Sequence, residues 1–337
     1  MKKWMKNREN KTIYTFLIAG AGLAAFVLLM LFLHTQGEKK EPWKLIFVPK
    51  TIDPTNGFWT SLIDGAQLGA KEYGAQLEVM GETTEEDIEG QIANIRKCIE
   101  QKPDAMLVAP CDYIRTADVL EEAVVQGIKL ILLDSVVDRD VAQCVIATDN
   151  FEAGRKLGKY AGSLLENDQN PKIGIVAHVQ GASTAMERER GIRDGLGSNA
   201  DAIQDVVFCD SSYDKAYTLT VRLMTKFPDI DLLIGTNEYA AVGAARALKD
   251  MKLAGKVRLI GFDSLIEEIQ LLEAGVFQGI VIQKPFNIGY LGVEQAVRLL
   301  EGAAVEKNLS VGSRLITRDN MYEEENQRLL YPFSGQQ

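Results

Sequence analysis

Histidine is almost absent from this 337-residue chain, which has only His34 and His178, and its four cysteines, Cys98, Cys111, Cys144 and Cys209, show no short paired spacing. With so few imidazoles and no paired thiols, neither a thiolate–imidazole metal centre nor a disulfide framework has a ligand set to build on. Each cysteine is expected as a small buried hydrophobe. Triad chemistry fares no better, because His34 falls in an apolar stretch and His178 ends a strand with no Ser or Cys nucleophile beside it. The chain is therefore expected not to be an enzyme, and to need no cofactor and no metal.

Charge is missing from one stretch. Residues 12–37 contain no Asp, Glu, Lys or Arg, and at about 1.5 Å per residue the apolar run from Ile13 to Leu33 is long enough to cross a hydrocarbon core of ~30 Å. Lys2, Lys3, Lys6, Arg8 and Lys11 precede it against a single Glu9. That bias places a basic tail (1–11) in the cytoplasm, an uncleaved transmembrane signal-anchor over 12–34, and a body outside the cytoplasmic membrane after a linker over 35–43. A cleavable signal would have a shorter apolar core and a small-x-small exit, and "LFLHTQGEKKEPW" offers neither. The Gly20–Ala24 stretch has a small-xxx-small spacing that is common in such spans. With the basic tail set aside, the remainder holds about −14 of a formal −10. So acidic a body does not suit nucleic acid.

Beyond the linker the composition is globular, 46% apolar and 25% charged, and long enough for two cores. Nine short apolar runs alternate with amphipathic stretches: 44–49, 76–80, 105–109, 129–134, 172–177, 205–209, 231–235, 257–262 and 279–283. Nearly continuous apolar strands are covered on both faces, as in a parallel sheet between helices. The fold class is α/β, doubly wound. "GRKLGKY" from Gly154 has the wrong spacing for a phosphate loop and reads as an ordinary helix.

Polar residues gather where those strands end: Asp134, Asn237, Asp263 and Gln283. In open parallel sheets the ligand crevice lies outside the carboxyl ends of the strands. A single Asp there is ordinarily a helix N-cap, but four such ends are harder to assign to capping alone. In "DPTNGFWTSLIDGAQLGAKEYG" (53–74), Trp59, Leu62, Ile63, Ala66, Ala70 and Tyr73 form one helical stripe, whereas Phe58 points about 100° away. Phe58 fits either a helix-start staple or a stacking wall for a ligand.

"TNGFWTSLIDGAQLGA", "LLDS", "TDNFEAGRKLGKY", "RERGIRDG", "GTNEYAAVGAARAL", "LIGFDS" and "VIQKPFNIGYLGVEQA", in this order, resemble the type I periplasmic sugar-binding proteins related to the ribose- and galactose-binding proteins. The resemblance spans about residues 44–318. It implies two doubly wound parallel-sheet lobes joined by a three-strand hinge and closing on a sugar: 44–147 with 284–312, and 148–283 with 313–330, followed by a tail over 331–337. It places Asn56, Phe58, Trp59 and Asp134 in the cleft from the first lobe, and Arg190, Tyr213, Asn237, Asp263 and Gln283 from the second. Without it, Arg190 reads as a solvated helix charge between Glu187 and Glu189, and Tyr213 as packing. Lys50 is expected near the cleft mouth. Ala109 before Pro110, and Ser135 after Asp134, depart from the ribose-type pattern and weigh against ribose itself. The function implied is an extracytoplasmic solute-binding protein with a monomeric body that delivers a sugar or polyol to an ABC permease; the alternative is a ligand-sensing partner of a membrane histidine kinase or chemoreceptor.

Overall fold

The computed structural model describes residues 41–331 and, before them, Gly20, Gly22 and Phe26. The expected basic tail, transmembrane span, most of the linker and the tail after Tyr331 lie outside the described residues. Among the described residues no helix is long and apolar enough to cross a membrane. All the secondary structure that follows belongs to the unit beginning at Trp43.

Two six-stranded sheets organise that unit. The first contains β1 (Lys44–Val48), β2 (Gln76–Val79), β3 (Ala105–Val108), β4 (Lys129–Leu133), β5 (Cys144–Ala147) and β11 (Asn308–Ser310), in the order β11-β5-β4-β3-β1-β2. All its pairings are parallel. The second contains β6 (Ile173–Ala177), β7 (Ile203–Phe208), β8 (Leu232–Gly235), β9 (Arg258–Phe262), β10 (Phe277–Ile282) and β12 (Arg314–Thr317), in the order β12-β10-β9-β8-β6-β7. There only the β10–β12 pairing is antiparallel. The two orders are the same path drawn twice. The chain passes between the sheets after β5, after β10 and between β11 and β12.

The central strands are buried throughout, as their unbroken apolar runs require. β5, β11 and β12 are the strands missing from the sequence expectation. Each is three or four residues long and partly exposed, so none carries a continuous apolar signature.

Helices α1 (Gly57–Glu72), α2 (Ile88–Glu100) and α3 (Ala117–Val125) connect strands of the first sheet, and α4 (Asn150–Leu164) follows the first crossing. The second lobe adds α5 (Ser183–Leu196), α6 (Tyr213–Lys226), α7 (Glu238–Asp250) and α8 (Ile266–Glu273); α9 (Pro285–Leu300) follows the second crossing, and α10 (Glu324–Leu330) comes last. The "GRKLGKY" stretch is the ordinary helix expected, within α4. α1 packs against α9 and α4 against α5, so each lobe covers one sheet face with a tight helix pair. At Gly289 of α9 the backbone runs against the Leu62 carbonyl of α1, leaving no room for a Cβ. The four cysteines are free and buried, and burial raises the Cys98, Cys144 and Cys209 thiols to about 11. They pack as hydrophobes.

Candidate functional site

Each sheet ends in an aspartate with unusual backbone. Asp134 follows β4 with φ 62° and Asp263 follows β9 with φ 78°. Left-handed backbone costs an ordinary side chain about 1–2 kcal/mol, and Asp tolerates it better than most. Each residue also donates its N–H to the strand that makes a crossing, Asp134 to the Ile146 carbonyl and Asp263 to the Val281 carbonyl, both at 2.9 Å. The turned backbone leaves both carboxylates at the lobe interface.

From the first lobe, Asn56 accepts the Trp59 N–H at 2.9 Å and so starts α1. This cap fixes Phe58 and Trp59, which meet edge to face with ring centroids 5.1 Å apart. The Trp59 indole donates to Glu85 Oε1 at 2.6 Å. Lys50 pairs with Asp134 at 2.9 Å, and the Ser135 hydroxyl donates to the same carboxylate at 2.7 Å.

From the second lobe, His178 sits between two hydroxyls, with Nδ1 2.8 Å from Thr236 Oγ1 and Nε2 2.9 Å from Thr184 Oγ1. Burial, then Arg188, then Lys50 hold its pKa well below the ordinary value, so the ring is neutral. Arg188 donates to Asn150 Oδ1 at 2.8 Å and to the Thr236 carbonyl at 2.6 Å, and its guanidinium lies 4.4 Å from the Phe262 ring centroid. Asn237 caps α7 through the Ala240 N–H at 3.0 Å and donates to Ser211 Oγ at 3.2 Å. Asp263 accepts from Gln283 Nε2 at 2.7 Å and from the Glu238 N–H at 3.0 Å. Burial raises its pKa against the opposing pull of Arg188 and Gln283. Gln283 Oε1 is buried with no hydrogen-bond partner.

These residues wall one cavity between the lobes: Lys50, Asn56, Phe58, Trp59, Glu85 and Asp134 on one side; His178, Thr184, Arg188, Asn237, Asp263 and Gln283 on the other. None is more than 8% exposed. Two aromatic faces, a ring of amides and carboxylates, two donor-only cations and an unsatisfied acceptor form a surface suited to a small molecule rich in hydroxyl groups. Such a molecule offers apolar C–H faces to the rings and paired donors and acceptors to the rim.

Seven of the nine residues singled out in the sequence therefore come together: Asn56, Phe58, Trp59, Asp134, Asn237, Asp263 and Gln283. Arg190 does not. It pairs with Glu187 on the exposed face of α5 and lies over the Phe151 ring, because two residues along a helix rotate a side chain by about 200° away from Arg188. Tyr213 does not line the cavity either; its hydroxyl donates to Glu238 Oε1 at 2.6 Å and its ring packs on Tyr239 with centroids 4.6 Å apart. Lys50 lies inside the cavity rather than at its mouth, and His178 is not isolated. Glu85, His178, Thr184 and Arg188 were not anticipated. For the last two the available signal was their four-residue spacing on one face of α5, just beyond His178, which follows β6.

Residues 46–304 match the family model described as periplasmic binding protein domain. The crystal structure of a sugar transporter from Clostridium phytofermentans is 45% identical, covers 82% of this chain and 99% of that one, and superposes with a TM-score of 0.78. A carbohydrate transporter solute-binding protein from Agrobacterium radiobacter, solved in complex with D-arabinose, is 25% identical over 87% of this chain and all of that one (100%), with a TM-score of 0.81. The ribose import binding protein of Haemophilus influenzae is 27% identical over 79% of this chain and 89% of its own length. With a family model covering most of its length and two like lobes closed on a polar, aromatic-walled cavity, the chain belongs to the periplasmic binding protein domain family.

Proposed function

We propose that this protein captures a monosaccharide, or a polyol of that size, between its lobes and delivers it to an ABC-type importer. The observation that carries this is the buried interlobe cavity, where Phe58 and Trp59 meet the side chains of Asp134, Arg188, Asn237, Asp263 and Gln283. Every side chain that lines it is buried, an enclosure that suits one sugar ring rather than an oligosaccharide. Catalysis has no foothold in it: the neutral His178 is committed to two threonines. The relatives whose names mention ribose and allose and the structure holding D-arabinose make pentoses and hexoses the first compounds to try. Calorimetry of the purified protein against a panel of aldoses, ketoses and cyclic polyols tests the proposal; micromolar or tighter binding of one member supports it, and no heat from any member removes it.

The uncharged stretch 12–37 supports a tether that keeps the body at the outer face of the cytoplasmic membrane. Identifying the N-terminal residue of the mature protein tests this, since a start near Gly37 would leave no anchor. A permanent tether would equally serve a body that docks on a sensor kinase. Neighbouring genes discriminate, a permease and ATPase favouring import and a kinase with a response regulator favouring sensing.

A further inference from the structure

Because every residue around the cavity is buried, a solute enters only if the lobes part. They are joined by three chain crossings alone, so parting is a rotation about those crossings. The closed arrangement is held by direct interlobe bonds: the Tyr113 N–H to the Gly181 carbonyl at 2.9 Å, the Val136 N–H to Ser183 Oγ at 3.0 Å, the Ser211 hydroxyl to Glu85 Oε2 at 2.7 Å, and the Tyr239 hydroxyl to Asp53 Oδ2 at 2.9 Å.

Glu238 makes one more, of a different kind. It opens α7 in the second lobe, yet its carboxylate receives the Gly57 N–H at 3.1 Å and the Phe58 N–H at 3.3 Å, the first two amides of α1 in the first lobe. Such amides have no partner within their own helix and attract negative charge. Asn56, the helix's own cap, covers only the Trp59 N–H. Gly57 leaves room for the approach, since a Cβ there would stand a tight 3.2 Å from Glu238 Oε2. The Tyr213 hydroxyl orients the carboxylate from the other side.

We propose that Glu238 is a positioning residue for solute capture: its carboxylate caps α1 across the cleft, sets the balance between closed and open lobes, and holds Phe58 and Trp59 where the solute stacks. The proposal rests on the capture function above for its purpose, but its readout needs no solute. The test is pulsed dipolar EPR on the full-length chain in detergent with no sugar added. Nitroxides are placed at Ile114→Cys and Met186→Cys, exposed positions one on each lobe; the native cysteines are buried.

Glu238→Ala is expected to lower the closed-to-open ratio by about tenfold or more, the effect of removing a charged hydrogen-bond acceptor from buried donors. Glu238→Gln keeps a carbonyl acceptor for the α1 amides and is expected to restore most of the closed population, whereas Glu238→Met, of similar length with no such acceptor, is expected to stay displaced like Glu238→Ala, which a purely space-filling role would not produce. A Glu238→Ala distribution that superimposes on the parent, or a Glu238→Gln distribution displaced as far as Glu238→Ala, overturns the proposal. Should Glu238→Ala fail to fold, Tyr213→Phe must shift the distances in the same direction by less, and an unchanged distribution there overturns it too. A sugar panel without binding would count against capture while leaving this result standing.

Discussion

Asp134 and Asp263 occupy equivalent places in the two lobes, each after the sheet's fourth strand in chain order, each left-handed, and each bonded through its N–H to the strand that carries the chain across. Their surroundings differ: Asp134 is paired with the buried Lys50, whereas Asp263 holds Gln283 and the start of α7. Removing one partner of a buried pair leaves an uncompensated charge, at a cost of about 3–5 kcal/mol. Asp134→Ala is therefore expected to lower unfolding stability by about 3 kcal/mol in a urea titration. Asp134→Asn with Lys50→Met, which removes both charges and keeps a residue tolerant of φ 62°, should recover most of that loss. A double variant no more stable than Asp134→Ala would refute the pairing argument.

Arg188 and Arg190 provide an internal contrast. Arg188→Lys gives up the bonds to Asn150 and to the Thr236 carbonyl, which a point-charge ammonium does not reproduce. Its affinity for whichever sugar the calorimetric panel identifies should fall by about tenfold or more. Arg190→Ala, on the exposed face of α5, should change affinity and stability by less than about 0.5 kcal/mol. The same titration of both variants checks this, and the reverse order would restore Arg190 as the cleft residue.

Gly289 tests how tightly α1 and α9 hold the aromatic wall. Gly289→Ala forces a methyl against the Leu62 carbonyl and the Ala66 amide, and overpacking of this kind costs about 1–3 kcal/mol. A lowered Tm by differential scanning calorimetry is the expected outcome. Gly302→Ala is a useful comparison of a different kind, because Gly302 has open space around it but φ 81°, so any loss there is backbone strain rather than a clash.

Stability near neutral pH carries two opposing contributions. Burial pushes Glu238 up to about 7, with Asp263 adding repulsion and the Tyr213 hydroxyl and the Gly57 and Phe58 amides pulling the other way. Nearby Glu268 is raised well above the ordinary value, first by burial and then by Glu238 and Asp263. A raised acid binds more protons folded than unfolded, so its stabilisation is complete below about 4.5 and lost as pH rises through about 7. His178, held low, acts in the opposite sense: its contribution is present above its ordinary value of 6.5 and lost on acidification. Between pH 6 and 8 Glu238 should lower the Tm of the parent, and Glu238→Gln should flatten that decline. An unchanged pH slope in Glu238→Gln would show that Glu238 is not the titrating group.

Much of this architecture was legible before any coordinates. Strand type and class followed from local physics: buried parallel strands must be apolar on both faces, and all nine such runs are strands. Ligand crevices lie outside the carboxyl ends of parallel strands, which is why Asp134, Asn237, Asp263 and Gln283 could be singled out; that the two sheets turn those ends toward each other is tertiary. Edge strands β11 and β12, half exposed and short, left no comparable trace.

What the chain alone determined was thus the local element and the end of each strand at which chemistry collects, because hydrophobic periodicity and strand polarity are properties of neighbouring residues. Only the tertiary structure decided which side chains share the cavity. Glu85 and Ser211, Glu238 and Gly57, and Lys50 and Thr184 meet across separations of 126, 181 and 134 residues, and no local pattern encodes such a meeting. Arg188 rather than Arg190 faces the cavity because α5 packs on α4 and Arg188 lies over Phe262 of β9, and Tyr213 meets the site only through its hydroxyl bond to Glu238.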